Sequence, residues 1–157
     1  RHHMTDIKLF LSWAHYDAEV KDSFLTLLRQ RLAVARNHSF TWWVDSFILP
    51  GEEWKAEILT QLAEADYIVQ LISPSFLASD FIRDYEIPGV GEAPLKKTLP
   101  IMLVDVPLDG TVELHQIDRP VEPHCYVSRE TAFQRNQFVD GFVSRIIDRV
   151  EGKGGYR

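Results

Sequence analysis

The sequence has little of what would declare a specialised class. It holds one cysteine, Cys125, in 157 residues, so no disulfide closes within it, and a reducing cytoplasm is the expected setting. No apolar run has the length of a bilayer crossing and no segment is built like a signal peptide, so no membrane association is expected. Positive charge is not in surplus. The formal net charge is −6, which disfavours a non-specific grip on nucleic acid. Neither a G-x-G-x-x-G run nor a Walker loop is present, which removes both phosphate-cradling fingerprints. His15, His38, His115 and His124 lack metal-ligand spacing and there are no cysteine pairs, so no metal is expected. Ser73 and Ser75 sit in no nucleophile elbow and are read as caps and hydrogen-bonding groups. Cys125 with His124 or His115 is conceivable as a catalytic pair, but a buried structural thiol is the plainer reading. Internal repeats, low-complexity tracts and linkers are also missing.

What is present suits one globular domain. Hydrophobic residues make up 45% and charged residues 25%, enough to bury a core without staples. Arg1-His2-His3-Met4 reads as a tag remnant, residues 5–151 as the domain and 152–157 as a flexible tail. Ile7 to Leu11 forms a first strand. Asp17 is placed to cap a helix carrying Val20, Phe24, Leu27, Leu28 and Leu32 at helical spacing, and Asn37 to Ser39 ends it. Phe40 to Asp45 is a second strand, Ser46 to Glu52 a loop around Pro50-Gly51, and Trp54 to Ala65 an amphipathic helix. Tyr67 to Ile72 is a buried third strand, followed by a helix from Ser73 that Pro88-Gly89 cuts short. Leu99 to Val106 is a fourth strand and Pro107 to Pro123 is irregular. His124 to Val127 is a short fifth strand, and Thr131 to Val150 closes the chain with Phe138, Phe142, Val143, Ile146, Ile147 and Val150 as its stripe. Alternating strands and helices imply a flavodoxin-like three-layer α/β fold: a central, mainly parallel five-stranded sheet with helices on both faces.

In such a sheet the C-terminal ends of the strands share one edge, the usual ligand edge. That edge would gather Ser12 to Asp17, Asp45 to Trp54 and Ser73 to Glu86, bringing together Trp13, His15, Phe47, Trp54, Phe81 and Tyr85 with hydroxyls and carboxylates. Aromatic rings beside a carboxylate suit a flat, cationic heterocycle joined to a ribose; ordinary packing is the alternative for any one ring. Glu86 follows Ile82 by four residues and Arg83 by three, so the three share a helix face. A solvated acid paired with Arg83 is the alternative for Glu86. Asp80 and Asp84 form a further i, i+4 pair, but Asp84 points away from Glu86 and both read as solvated or structural, so a two-carboxylate glycosidase is weakly signalled. One carboxylate suffices when the leaving group departs neutral, as nicotinamide does from NAD⁺.

These residues carry a resemblance. Leu9-Phe-Leu-Ser-Trp-Ala-His-Tyr-Asp17 resembles the first strand and "FISYSxxD" ending of Toll/interleukin-1 receptor (TIR) domains of the bacterial type. Trp43-Val-Asp45 with Leu49-Pro-Gly51 resembles the family's second strand and BB loop. Trp54-Lys-Ala-Glu-Ile58 and Ile72-Ser-Pro-Ser-Phe-Leu77 fit as well, and Ser79-Asp-Phe-Ile-Arg-Asp-Tyr-Glu86 is similar to the "SDYCYDxE" signature. The likeness spans Ile7 to Val150, and the order and spacing of the motifs make it specific. It implies an NAD⁺ glycohydrolase that releases nicotinamide and gives ADP-ribose or a cyclic isomer, with Glu86 as the catalytic residue. Ser12, Trp13, His15, Asp45, Phe47, Ile48, Trp54, Ser73, Phe81 and Ile82 would line the NAD⁺ pocket. NAD⁺ is then substrate, and no cofactor is called for. The same resemblance implies self-association through the BB loop (Ser46 to Glu52), a sensor domain in the full-length protein, and a role as the effector of bacterial anti-phage immunity. A non-catalytic TIR interaction module is the alternative. The chain departs from the family at Ile82, where many members carry an aromatic, and at Pro88-Gly89.

Overall fold

Short runs rich in branched and aromatic residues form the strands, as their composition favours. The computed structural model of the protein describes residues 5–44, 52–78, 98–106 and 125–152, and the side chains of all of these except 52–55 and 98. Four strands lie among them: β1 (Thr5–Ser12), β2 (His38–Trp43), β3 (Tyr67–Ile72) and β4 (Thr98–Met102). All pair in parallel, in the order β2-β1-β3-β4. The helices are α1 (Ala18–Leu32), α2 (Glu52–Glu64), α3 (Pro74–Ala78) and α4 (Ala132–Glu151). This is a flavodoxin-like α/β fold, and the strand order places its switch point between β1 and β3.

Alternation along each strand sends successive side chains to opposite faces. On one face Leu9, Leu11, Val69, Leu71, Leu99 and Ile101 pack with Phe24 and Leu28 of α1 and Phe138, Phe142 and Ile146 of α4. On the other, Phe10 and Ile68 meet Ile58, Leu62 and Ala65 from and just after α2. Nearer the C-terminal edge, Ile72 and Met102 join Phe76 of α3, Ala14, Val106 and Cys125. Each fully buried side chain of Leu or Phe size stabilises the fold by about 1.5–3 kcal/mol.

The stripes expected for α1 and α4 are realised at their centres, while Val20, Leu27, Val143, Ile147 and Val150 are half-buried beside them. Phe24, Leu28 and Leu32 are buried in α1, with Leu25 added; Phe138, Phe142 and Ile146 are buried in α4, with Val139 added. A reciprocal capping box starts α4: Gln134 N–H donates to Thr131 Oγ1 at 3.1 Å and Thr131 N–H to Gln134 Oε1 at 3.2 Å. Gly152 ends it at φ 71°, a left-handed position that glycine adopts without strain.

Three expectations need correction. The stretch expected as a fifth strand contains a 3-10 turn at Tyr126–Ser128. Among its described residues only the Val127 N–H reaches toward the sheet, donating to the Leu103 carbonyl just past β4 at 3.2 Å. The conformation follows from Tyr126, which is buried edge-on against Phe24 and hydrogen-bonded to Ser23 Oγ at 2.7 Å. Strand β4 ends at Met102 rather than Val106, because Leu103 and Val104 both direct their N–H groups to the one carbonyl of Ile72. His38 and Ser39, expected to break α1, already belong to β2 and pair with Thr5 and Asp6. The expected irregular segment 107–123, the interruption at Pro88-Gly89 and the tail from residue 153 lie outside the described residues.

Candidate functional site

Between β1 and β3 the C-terminal edge is built by two segments that reach across the switch point. The first leaves β1 at Ser12 and turns through Trp13, Ala14 and a 3-10 turn at His15–Asp17 before α1. The second leaves β3 at Ile72 and enters α3 through Ser73-Pro74, with proline at the first helical position, where its missing N–H costs nothing.

Asp17 and Ser73 join these segments. The Ser73 hydroxyl donates to Asp17 Oδ2 at 2.5 Å and accepts the Phe76 N–H at 3.0 Å. Ser73 is thus the cap of α3, as its sequence position suggests, and is fully buried. Asp17 holds the N-cap position of α1 but makes no side-chain cap bond there. Its expected capping role is corrected: the carboxylate turns to Ser73, because a buried hydroxyl 56 residues away competes for it.

Trp13 is a brace. Its indole N–H donates to the Val44 carbonyl at 2.8 Å, fastening the end of β1 to the end of β2. The Lys21 ammonium stands 4.1 Å from the ring centroid, so a cation already covers one face of the indole. Such contacts contribute about 0.5–2 kcal/mol. His15 is exposed beside Tyr16, ring centroids 6.2 Å apart, and Tyr16 is 89% exposed.

Ser12 and Gln70 are the residues at this edge that the local rules do not explain. They are register partners on β1 and β3 and both are 0% exposed. Ser12 Oγ, Gln70 Oε1 and Gln70 Nε2 have no hydrogen-bond partner among the described residues. A buried polar atom left unsatisfied costs about 1–3 kcal/mol. Ser12 was expected at the site; Gln70 was not, although a single amide inside the apolar run Tyr67 to Ile72 is the signal that marks it.

Of the pocket residues inferred from sequence, Ser12, Trp13, His15 and Ser73 therefore meet at one edge. Trp54 falls in the first turn of α2, its side chain outside the described set. Glu86, Asp45, Phe47, Ile48, Phe81 and Ile82 lie outside the described residues, as do Asp80 and Asp84. Two hollows among the described residues lie elsewhere, by β2: one of about 140 Å³ against Phe10, Trp43 and Gln61, and one of about 440 Å³ against Arg29, His38 and Trp42. The described residues include no group of three His, Cys, Asp or Glu side chains able to hold a metal. The resolved titration shift is also remote. Burial raises the Tyr67 phenol above its ordinary 10.0, with Arg149 opposing and Asp66 adding to the shift. No helix among the described residues is long and apolar enough to cross a membrane.

The family model described as "TIR domain" matches residues 9–134. The chain belongs to the TIR domain family. No curated protein matches it. Among solved structures it is similar to FerB, a flavoenzyme NAD(P)H:(acceptor) oxidoreductase from Paracoccus denitrificans, at TM-score 0.49 and 14% identity, covering 96% of this chain and 100% of that one. The β1 turn, β2, β3 and α3 all fall within the segment that matches the TIR family, so the β1–β3 edge belongs to the family's own framework.

Proposed function

We propose that this TIR domain cleaves NAD⁺ at its N-glycosidic bond, with Glu86 as the catalytic residue. One observation carries the reading: a TIR domain, matched over residues 9–134, that has a glutamate at the end of a Ser79-to-Glu86 stretch similar to the bacterial signature. In the reaction the bond between ribose C1′ and the pyridinium nitrogen breaks, and its electron pair goes to the nitrogen, so nicotinamide leaves neutral without a general acid. The positive charge passes to an oxocarbenium-like ribose, which the Glu86 carboxylate stabilises. Water that captures C1′ and gives up a proton yields ADP-ribose; an adenine nitrogen that captures it yields a cyclic isomer. NAD⁺ is consumed as substrate, and neither metal nor redox cofactor enters the balance.

The edge between β1 and β3 supports this reading by its position and its stiffness. Ser73, bonded to Asp17, holds the start of α3, the segment that leads toward Glu86. Trp13 fixes the end of β2, from which the BB loop (Ser46 to Glu52) departs. His15 and Ser12 lie on the same edge, and Asp45, Phe47, Ile48, Trp54, Phe81 and Ile82 complete the proposed pocket. Assembly of copies through the BB loop would switch the enzyme on, and a sensor domain elsewhere in a longer protein would trigger it as a cytoplasmic anti-phage effector.

The test is a titration of clustering. The domain, dispersed or displayed at high density on vesicles, is incubated with NAD⁺ and the products are separated by chromatography. Nicotinamide release that rises steeply with density is expected, and the second product identifies hydrolysis or cyclisation. No release at any density overturns the reading and leaves a TIR interaction module.

A further inference from the structure

Ser12 and Gln70 stand opposite each other on β1 and β3, on the face of the sheet that Phe10 and Ile68 share with α2. Along that face the neighbours are apolar and fully buried: Phe10 on β1, Ile68 and Ile72 on β3. A leucine at position 70 would complete an ordinary core. Instead three polar atoms, Ser12 Oγ, Gln70 Oε1 and Gln70 Nε2, are sealed from solvent with no partner among the described residues. Buried polar groups are almost always bonded to something, so three unmet atoms in one place call for an occupant. Their position, at the C-terminal part of the two strands flanking the switch point, is where open α/β sheets bind ligands.

The donor and acceptor pattern limits what the occupant is. A carboxamide side chain offers N–H groups and a carbonyl lone pair side by side, and it pairs best with a group that presents one acceptor beside one N–H donor. The Ser12 hydroxyl, able to donate or accept, satisfies a further position of the same group. We propose that Ser12 and Gln70 form a recognition site for a ligand group carrying an amino donor beside a lone-pair acceptor. NAD⁺ holds two such groups, the carboxamide of nicotinamide and the amino edge of adenine, so this inference rests on the NAD⁺ reading and adds a residue that chooses substrate. A ligand lacking the amino group would leave the Gln70 carbonyl buried without its donor, the situation in which a polar site discriminates most strongly. A buried water is the competing occupant, and it would leave substrate choice indifferent to position 70.

The experiment measures binding without turnover, by calorimetry on the clustered Glu86→Gln domain. The ligands are NAD⁺, 3-acetylpyridine adenine dinucleotide, in which a methyl replaces the carboxamide amino group, and nicotinamide 1,N6-ethenoadenine dinucleotide, in which an etheno bridge removes the adenine amino hydrogens and blocks N1. The parent is expected to prefer NAD⁺ to one of the two analogues by about tenfold or more, and the rejected analogue names the group that is read. Adding Gln70→Met should reduce that preference to about twofold or less while the melting temperature holds or rises, because a buried amide is replaced by an apolar chain of similar length. Ser12→Ala, which deletes one oxygen, should weaken the same preference severalfold and serves if the Gln70→Met domain fails to fold. An equal affinity of the parent for all three ligands, or a preference that survives both substitutions, overturns the inference and leaves NAD⁺ cleavage standing. No NAD⁺ binding by the parent, together with no turnover by the unsubstituted domain, overturns both.

Discussion

The face of the sheet beneath α1 and α4 and the face beneath α2 and α3 belong to the same strands but follow different chemistry. Beneath α1 and α4 the buried strand positions are all apolar, from Ile7 and Leu11 to Val69, Leu71 and Ile101. Beneath α2 the exposed Asp6 and Lys8 at the start of β1 give way to buried Phe10 and Ile68, and the buried run is then broken at Ser12 and Gln70 before returning to Ile72. The first face holds the domain together. The second gives up some cohesion at one place, and that place is the switch point. Departures from local rules that stability does not explain are where function is expected.

The comparison can be broken from either side. The largest effect is expected on the apolar face. Phe142→Ala should lower unfolding stability by about 3–5 kcal/mol, read from urea unfolding with an unchanged slope, since the ring is fully buried between α1 and the sheet. A loss below about 1 kcal/mol would show that this face is not the main source of stability. Ser73→Ala comes next. It removes the cap of α3 and strips Asp17 of its bonded hydroxyl, for an expected loss of about 1–3 kcal/mol, and NAD⁺ cleavage should fall more than stability does.

Much of this architecture is legible in the sequence, and the reasons are specific. The strand β3 and the stripes of α1 and α4 follow from local periodicity, which burial on one side enforces. The helix cap at Ser73 is legible too, because a serine before proline at a helix start has one common use. The turn at Tyr126–Ser128 is not, since Cys125-Tyr126-Val127 is a run of strand-favouring residues and contacts with Phe24 and Ser23, about a hundred residues distant in sequence, decide otherwise. Asp17 misleads for the same reason, its partner Ser73 lying just past β3 and 56 residues away. Gln70 carries a weak local signal, but its burial without partners can be known only once β1 and β3 are side by side.

Smaller effects sharpen the contrast. Trp13→Phe keeps the apolar ring and deletes the indole donor to Val44; a loss of about 1 kcal/mol is expected, with a larger fall in NAD⁺ cleavage than in melting temperature. Loss of stability alone would make Trp13 a brace with no bearing on the site. The smallest effect lies at the far end of the sheet. Tyr67 has its pKa raised by burial above 10.0. The folded state therefore keeps the phenol proton where the unfolded chain releases it. Its contribution is fully present below pH 10 and is lost as pH rises from there through the folded value. Tyr67→Phe should flatten that alkaline fall in stability and, by deleting the hydroxyl that donates to the Arg149 carbonyl, lower the neutral-pH value by no more than about 1 kcal/mol; an identical alkaline fall in the variant would assign it to another group.

The central claim is that the polar edge between β1 and β3 serves a glutamate that cleaves NAD⁺. The most direct measurement compares nicotinamide release by the clustered domain and by its Glu86→Ala variant, prepared at equal density and shown to melt at the same temperature. The account predicts release by the first and a fall of about a hundredfold or more in the second. Equal release by both would contradict it.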